Sequence, residues 1–148
     1  MYARLHLFFI SLIPPIVVLV VHLVRYHFRP DLAVLDIVAH FCGGFAIAWM
    51  GYIFFSGLGR LGSISKETPL WLVEYAILGT VMLAGVIWEF YEWTSDHYFG
   101  AHMQFGLTDT MGDLLMDLSG GILFLLVTIS VRAWVSKNRR GQPLLKAR

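Results

Sequence analysis

Four long runs of apolar residues make up most of this chain. They lie near residues 5–24, 33–55, 70–91 and 113–135. Each has about 20 residues or more, and at a rise of about 1.5 Å per residue a helix of that length crosses a hydrocarbon core of about 30 Å. None of the runs alternates between apolar and polar positions as the strands of a membrane barrel do. The pattern therefore predicts an all-α integral membrane protein built as a four-helix bundle.

The composition agrees with a membrane protein. The 148 residues are 57% hydrophobic and 14% charged, whereas soluble domains average about 45 to 50% apolar and about 25% charged. We expect residues 1–148 to form a single transmembrane domain that ends in a basic tail, residues 136–148. Because Cys42 is the only cysteine, an intrachain disulfide and a zinc site built from several cysteines of one chain are excluded.

The basic residues predict the orientation of the bundle. With four spans, both termini and the loop between the second and third spans lie on one side of the membrane. That side carries nine Lys and Arg residues, and the opposite side carries two. The nine are Arg4, Arg60, Lys66, Arg132, Lys137, Arg139, Arg140, Lys146 and Arg148, and the two are Arg25 and Arg29. The positive-inside rule then predicts both termini in the cytoplasm, with the tail facing anionic lipid rather than nucleic acid.

Ionisable side chains recur at helical spacing toward one end of three spans. The sets are Asp36 with His40, Glu89 with Glu92, and Asp113 with Asp117, the last preceded by Asp109 in the loop. Members of each pair are three or four residues apart and so share one face of their helix. Because successive spans run in opposite directions, all the sets reach a similar depth on the outer side. A charge at the centre of a membrane helix costs roughly 2.5 to 3.5 kcal/mol, so a shared polar site is the leading explanation.

Carboxylates and an imidazole on facing helices are the ligands with which helical bundles hold divalent metals. The candidate cofactor is therefore a divalent metal ion. Its candidate ligands are Asp36, His40, Glu89, Glu92, Asp109, Asp113 and Asp117. His40 and Glu89 are the candidate catalytic residues, since either could take the proton of an activated water. Without a metal, the same side chains would form a hydrogen-bonded, partly protonated cluster.

Simpler interpretations cover other residues. Acids near helix ends can cap a helix or mark the limit of a span, which suits Asp96 at a solvated loop edge and also suits Asp109. The Pro14-Pro15 pair predicts a kink in the first span. Three pairs of small residues predict that helices approach one another closely. The pairs are Gly43-Gly44, Ala84-Gly85 and Gly120-Gly121. The histidines outside the polar set are expected to be solvated, namely His6, His22, His27, His97 and His102.

The segments LDIVAHFCGG, WEFYEW and TDTMGDLLMDLSGG, within residues 33–125, resemble the YjdF-like family of bacterial inner-membrane proteins, whose function is unknown. The chain is also distantly similar to VanZ-like membrane proteins. Those carry an acid-to-histidine pair early and aspartates before a glycine-bearing last helix, but tend to carry an amide in the region of Ser119. The resemblance implies a multi-pass protein of the bacterial inner (plasma) membrane. Its pattern falls on Asp36, His40, Gly44, Glu89, Glu92, Asp109, Asp113 and Asp117.

Two classes of function stay open at this point. One is a metal-dependent hydrolase or transferase that acts on a lipid or lipid-linked substrate from the outer leaflet. The other is a non-enzymatic membrane protein, either a proton or cation pathway or an accessory subunit with a structural acidic cluster. A four-span pathway would require a homo-oligomer. The inner halves of the second to fourth spans are nearly all apolar, which favours a one-sided site over a pathway.

Overall fold

The computed structural model describes residues 2–28, 33–65 and 67–140. This described part is helical and contains no strand. Its helices are α1 (Tyr2–Ser11), α2 (Ile13–Phe28), α3 (Ala33–Arg60), α4 (Leu70–Phe99) and α5 (Leu107–Arg140). Four stretches are long and apolar enough to cross a membrane, the first of them shared by α1 and α2, so the predicted all-α, four-span architecture is confirmed. Arg29, Lys66 and residues 141–148 of the predicted basic tail lie outside the described residues.

The double proline divides the first apolar run into two helices. Pro14 and Pro15 lie in the first turn of α2, where their missing N–H groups would have no helical partner in any case. The first hydrogen bond of α2 runs from the Ile16 N–H to the carbonyl of Leu12 over 3.1 Å. The kink predicted from the sequence is therefore confirmed, as a break of the helix at Leu12.

Helices α4 and α5 are longer than the apolar runs that predicted them. The runs near residues 70–91 and 113–135 stop where acidic residues begin, whereas α4 continues to Phe99 and α5 starts at Leu107. Asp109, which we expected in the loop, consequently lies in the first turn of α5. An apolar run marks the part of a helix that faces lipid, but the helix itself continues where its polar side chains find partners inside the bundle.

Carboxylates from both helices hold the loop between α4 and α5. The two oxygens of Asp96 accept the backbone N–H groups of Met103, at 2.6 Å, and Gln104, at 2.8 Å. Asp109 Oδ2 accepts the N–H of Phe105 at 2.9 Å. The helix-end role suits both residues, but the expectation that Asp96 is solvated was wrong, because it is half-buried and lies inside α4.

Helix α3 is the centre of the bundle. It packs on all the other helices, and its most extensive contact is with α5. Glycines permit this approach, since a Cβ on Gly44 would overlap the carbonyl of Asp117 and a Cβ on Gly120 would overlap the carbonyl of Phe41. Within the described residues, α1 and α2 pack on α3 but not on α4 or α5.

The two ends of the bundle differ in chemistry. The acidic side chains gather at the end where α4 stops and α5 starts, here called the site end. At the opposite end, here called the basic end, Arg132 lies 3.5 Å from Glu74 and 5.2 Å from the ring centre of Tyr52. A buried apolar cluster lies nearer the basic end than the site does. It consists of Ala48, Ile77, Val81, Phe124 and Leu125.

We expect the site end to face the outside of the cell and the basic end to face the cytoplasm, because of the split of Lys and Arg residues. Single cysteines can be introduced into a Cys42→Ala protein at Phe105 and at Lys137, both exposed. A membrane-impermeant maleimide should label the first in right-side-out vesicles and the second only in inverted vesicles. Labelling of position 105 only from the cytoplasmic side would show that the true topology is the reverse of the predicted one.

Candidate metal centre

Three helices bring six ionisable side chains together at the site end. α3 contributes two of them, α4 contributes two and α5 contributes two. They are Asp36 and His40, Glu89 and Glu92, and Asp113 and Asp117, and none is more than 9% exposed. The spacing of three or four residues within each pair turns both members toward the interior, while the glycine contacts of α3 with α5 bring the helices close enough for the pairs to meet. Cys42 is exposed and points away from this cluster.

His40 lies between two aspartates of α5. Its Nδ1 is 3.3 Å from Oδ2 of Asp117, and its Nε2 is 3.9 Å from Oδ2 of Asp113. The first distance suits a hydrogen bond, whereas the second is too long for one. In the tautomer that carries its hydrogen on Nδ1, His40 donates to Asp117 and keeps a lone pair on Nε2. Asp117 therefore holds the imidazole in place, and Nε2 is available as a ligand atom.

In Glu89 and in Glu92, one carboxylate oxygen accepts a hydrogen bond and the other does not. The indole Nε1 of Trp88 donates to Oε1 of Glu92 at 2.8 Å. The side-chain amide of Gln104 donates to Oε2 of Glu89 at 3.2 Å and to the hydroxyl of Thr110 at 2.7 Å. The same Gln104 is tied to Asp96 through its backbone, so the α4–α5 loop positions one carboxylate of the site.

Four buried polar atoms of this cluster have no hydrogen-bond partner among the described residues. They are His40 Nε2, Glu89 Oε1, Glu92 Oε2 and Asp113 Oδ2. An unpaired buried polar group costs about 1 to 3 kcal/mol, and more if it is charged. The four atoms lie in one cluster, and all are of types that bind metal ions.

The spacing of the ligand atoms fits a metal ion. One set consists of Asp36, His40 and Asp113, and a second consists of His40, Glu89 and Glu92. Within each set the ligand atoms lie within 4.8 Å of one another. An ion with ligands at about 2.1 Å separates opposite ligands by about 4.2 Å, so small side-chain rotations would close either set around an ion.

Two of the seven predicted metal ligands fall outside these sets. Asp117 contacts Nδ1 of His40 and supports the imidazole from behind. Asp109 accepts the backbone N–H of Phe105 and belongs to the loop. The other five predicted ligands, Asp36, His40, Glu89, Glu92 and Asp113, are brought together.

His22 of α2 is a site residue that the sequence analysis missed. It was expected to be solvated, which was wrong, because it is 6% exposed. Its Nδ1 lies 3.8 Å from Oδ1 of Asp36, and its ring meets Trp88 edge to face with centroids 5.1 Å apart. His22, Asp36 and Glu92 form a third set of closely spaced ligand atoms. The available signal was its position inside the first apolar run, at the same end as the acids. Gln104, in a loop, gave no such signal.

Fold and site together define a four-span helical membrane protein with a buried carboxylate–histidine cluster at one end. The chain belongs to the family described as "Predicted membrane protein (DUF2238)", whose model matches residues 3–133. The YjdF-like resemblance fits this membership, whereas similarity to VanZ-like proteins is not shown by the comparisons.

One relative is an uncharacterized protein of Thermotoga maritima, which is 36% identical to this chain over 86 residues. That match covers 57% of this chain and 42% of the relative, so it spans less than half of the relative's length. No solved structure matches the chain.

Proposed function

We propose that this protein binds a divalent metal ion beside Nε2 of His40 and uses it as a hydrolase or transferase. The substrate class is a lipid or lipid-linked molecule, reached from the outer leaflet of a bacterial inner membrane. The observation that carries the proposal is the set of four buried ligand atoms on three helices that have no hydrogen-bond partner among the described residues. Carboxylates without a counter-charge are costly in a membrane, and a bound cation would remove most of that cost.

The contacts divide the cluster into ligands and supports. His40 through Nε2, Asp113 through Oδ2 and Asp36 would bind the ion as one closely spaced set, and Glu92 through Oε2 would complete the coordination from the adjacent set that shares His40. Asp117 would hold His40 from behind, as carboxylates commonly hold metal-binding imidazoles. A set of hard oxygen ligands with imidazole suits Mg²⁺, Mn²⁺, Fe²⁺ or Zn²⁺.

Glu89 is the best-placed proton acceptor. Its Oε2 is fixed by Gln104 and its Oε1 has no partner, so the free oxygen is held at a defined place beside the ligands. A bound ion would supply Lewis acidity there, and Glu89 would take the proton of a water that attacks a carbonyl or phosphoryl centre. The bond to the leaving group then breaks, and the leaving oxygen receives that proton. In a transferase, an acceptor hydroxyl would replace the water.

Metal analysis tests the first half of this proposal. Elemental mass spectrometry of detergent-purified protein should find about one divalent ion per chain. Zn²⁺ or Mn²⁺ added after chelation should raise the melting temperature, because a ligand at 100 times its Kd stabilises the folded state by about 2.7 kcal/mol. Equal melting temperatures with chelator and with each of these ions would contradict the metal site and leave a hydrogen-bonded acidic cluster.

A lipid assay separates the enzyme from an accessory subunit with a structural metal. The metal-loaded protein is reconstituted into vesicles of bacterial lipid extract, and the lipids are followed by mass spectrometry. We expect at least one lipid species to be consumed by the unmodified protein and not by Glu89→Gln. Full metal occupancy with unchanged lipids would favour the structural role. A through-going cation pathway is disfavoured by the buried apolar cluster around Val81 and Phe124.

A further inference from the structure

A cavity of about 410 Å³ lies next to the metal centre, between the first span and α4. Its walls are apolar over most of their area. They are formed by residues such as Pro15 and Leu19 on the first span, Ile47 on α3, and Val81 and Ala84 on α4. Only its end at the site is polar, where His22, His40 and Asp117 line it. The cavity therefore combines a long apolar compartment with a single polar end.

The packing of the helices explains why the cavity exists. In the part of the chain that the structure describes, α2 and α4 both pack on α3 but not on each other. The side chains that α3 and α4 present to this space include the small residues Ala39 and Ala84, which do little to fill it. Side chains of α2 and α4 meet at the site end, where the ring of His22 packs edge to face against Trp88.

We propose that this cavity holds one hydrocarbon chain of a membrane lipid, which enters between α2 and α4 with its polar group at His22 and His40. The inference rests on the proposed function for one point only, that the lipid is the substrate. The volume lies within the range of about 300 to 1,000 Å³ typical of ligand pockets. Water is a poor occupant of the apolar part because each water needs two to four polar partners. The bilayer around the spans supplies hydrocarbon chains.

The apolar walls and the polar end of the cavity also determine the orientation of the bound lipid. A lipid that enters with its chain toward Ile47 and Val81 brings its polar group to the end lined by His22, His40 and Asp117. The reverse direction would place a polar group among apolar walls without hydrogen-bond partners, which is unfavourable. The ester or phosphate linkage next to the chain is therefore the part that reaches the metal centre.

A photoactivatable lipid tests this inference. The probe is phosphatidic acid with a diazirine on one acyl chain, at a few mole per cent in phosphatidylcholine vesicles containing the metal-loaded protein. After illumination, the labelled peptides are mapped by mass spectrometry. We expect labels on residues that line the cavity, such as Leu19 and Ile47. Labels confined to lipid-facing residues outside the cavity would overturn the inference.

Two neighbouring positions on α4 give a matched pair of variants. Ala84 lines the cavity, whereas Leu83 is 61% exposed and does not line it. Ala84→Trp should reduce cavity labelling at least tenfold, and Leu83→Trp should leave it unchanged. Ile47→Trp is a second cavity-filling variant, should Ala84→Trp fail to fold. Equal labelling of the unmodified protein and a folded cavity-filling variant would overturn the inference.

Metal content distinguishes the two proposals. Ala84→Trp leaves every proposed ligand in place, so it should keep about one ion per chain while it loses cavity labelling. Retained metal with undiminished labelling would contradict the lipid cavity alone. Cavity labelling of an unmodified protein that binds no metal would contradict the metal centre, and with it the lipid's role as substrate.

Discussion

Asp113→Asn and His40→Ala should each remove most of the bound metal, and the double variant should bind little less than either single variant. Each residue has a ligand atom without a hydrogen-bond partner, and these two atoms, Oδ2 of Asp113 and Nε2 of His40, lie 3.9 Å apart. Residues that act as one unit give strongly non-additive losses. The measurement is the ratio of metal to protein after dialysis against a fixed free-ion concentration.

Asp117 and Asp96 are graded controls for this experiment. Asp117→Asn should weaken metal binding by about 10- to 100-fold rather than abolish it, since this residue holds His40 without belonging to a ligand set. Asp96→Asn should keep the metal but lower stability, because an amide oxygen replaces only one of two acceptors of backbone N–H groups. Stoichiometric metal in both His40→Ala and Asp113→Asn would contradict the assignment of ligands.

Gly44→Ala should disrupt the site because it pushes two helix backbones apart, whereas Gly43→Ala should be tolerated. A methyl group on Gly44 would overlap the backbone carbonyl of Asp117, and neither helix backbone can yield locally. A methyl group on Gly43 would stand 3.7 Å from Oδ1 of Asp117, an ordinary contact. Overpacking typically costs about 1 to 3 kcal/mol, and here it would also separate α3 from α5 and lengthen the 3.3 Å contact of His40 with Asp117.

Thermal unfolding in detergent and metal binding are measured for both glycine variants. Gly44→Ala should show a lower melting temperature and weakened metal binding, and Gly43→Ala should resemble the unmodified protein. Gly79→Ala on α4, where a Cβ would meet nothing within 4 Å, controls for the general effect of alanine in a membrane helix. Indistinguishable melting curves for the variants at positions 43 and 44 would show that the close approach of α3 and α5 is not needed.

The sequence was sufficient for the four-span helical architecture and for the grouping of acidic residues at one end of the bundle. Spacing of three or four residues places Glu89 and Glu92 on one helix face, and alternating spans bring that face level with His40. Sequence patterns carry no information on distances between helices, so they could not separate the support, Asp117, from the ligands. His22 was missed for a related reason, because a lone polar residue gives no periodicity to read.

The conformation of the loop between α4 and α5 was even less predictable from the sequence. Gln104 reaches Glu89 only because Asp96 and Asp109 fix the backbone on either side of it. Such a hydrogen-bond arrangement depends on the three-dimensional course of a short irregular segment, for which neither apolar runs nor helical spacing is a guide. The ends of α4 and α5 were missed together with it, since the helices continue until this loop begins.

The hydrogen bond of Trp88 to Glu92 limits how this carboxylate can bind an ion. Because Trp88 engages Oε1, Glu92 can offer only one oxygen without losing a hydrogen bond. Bidentate binding, by which acidic residues fill the coordination sphere of an ion, is thereby disfavoured at Glu92. An ion held in this way keeps open positions, which is the feature that separates catalytic metal sites from closed structural ones.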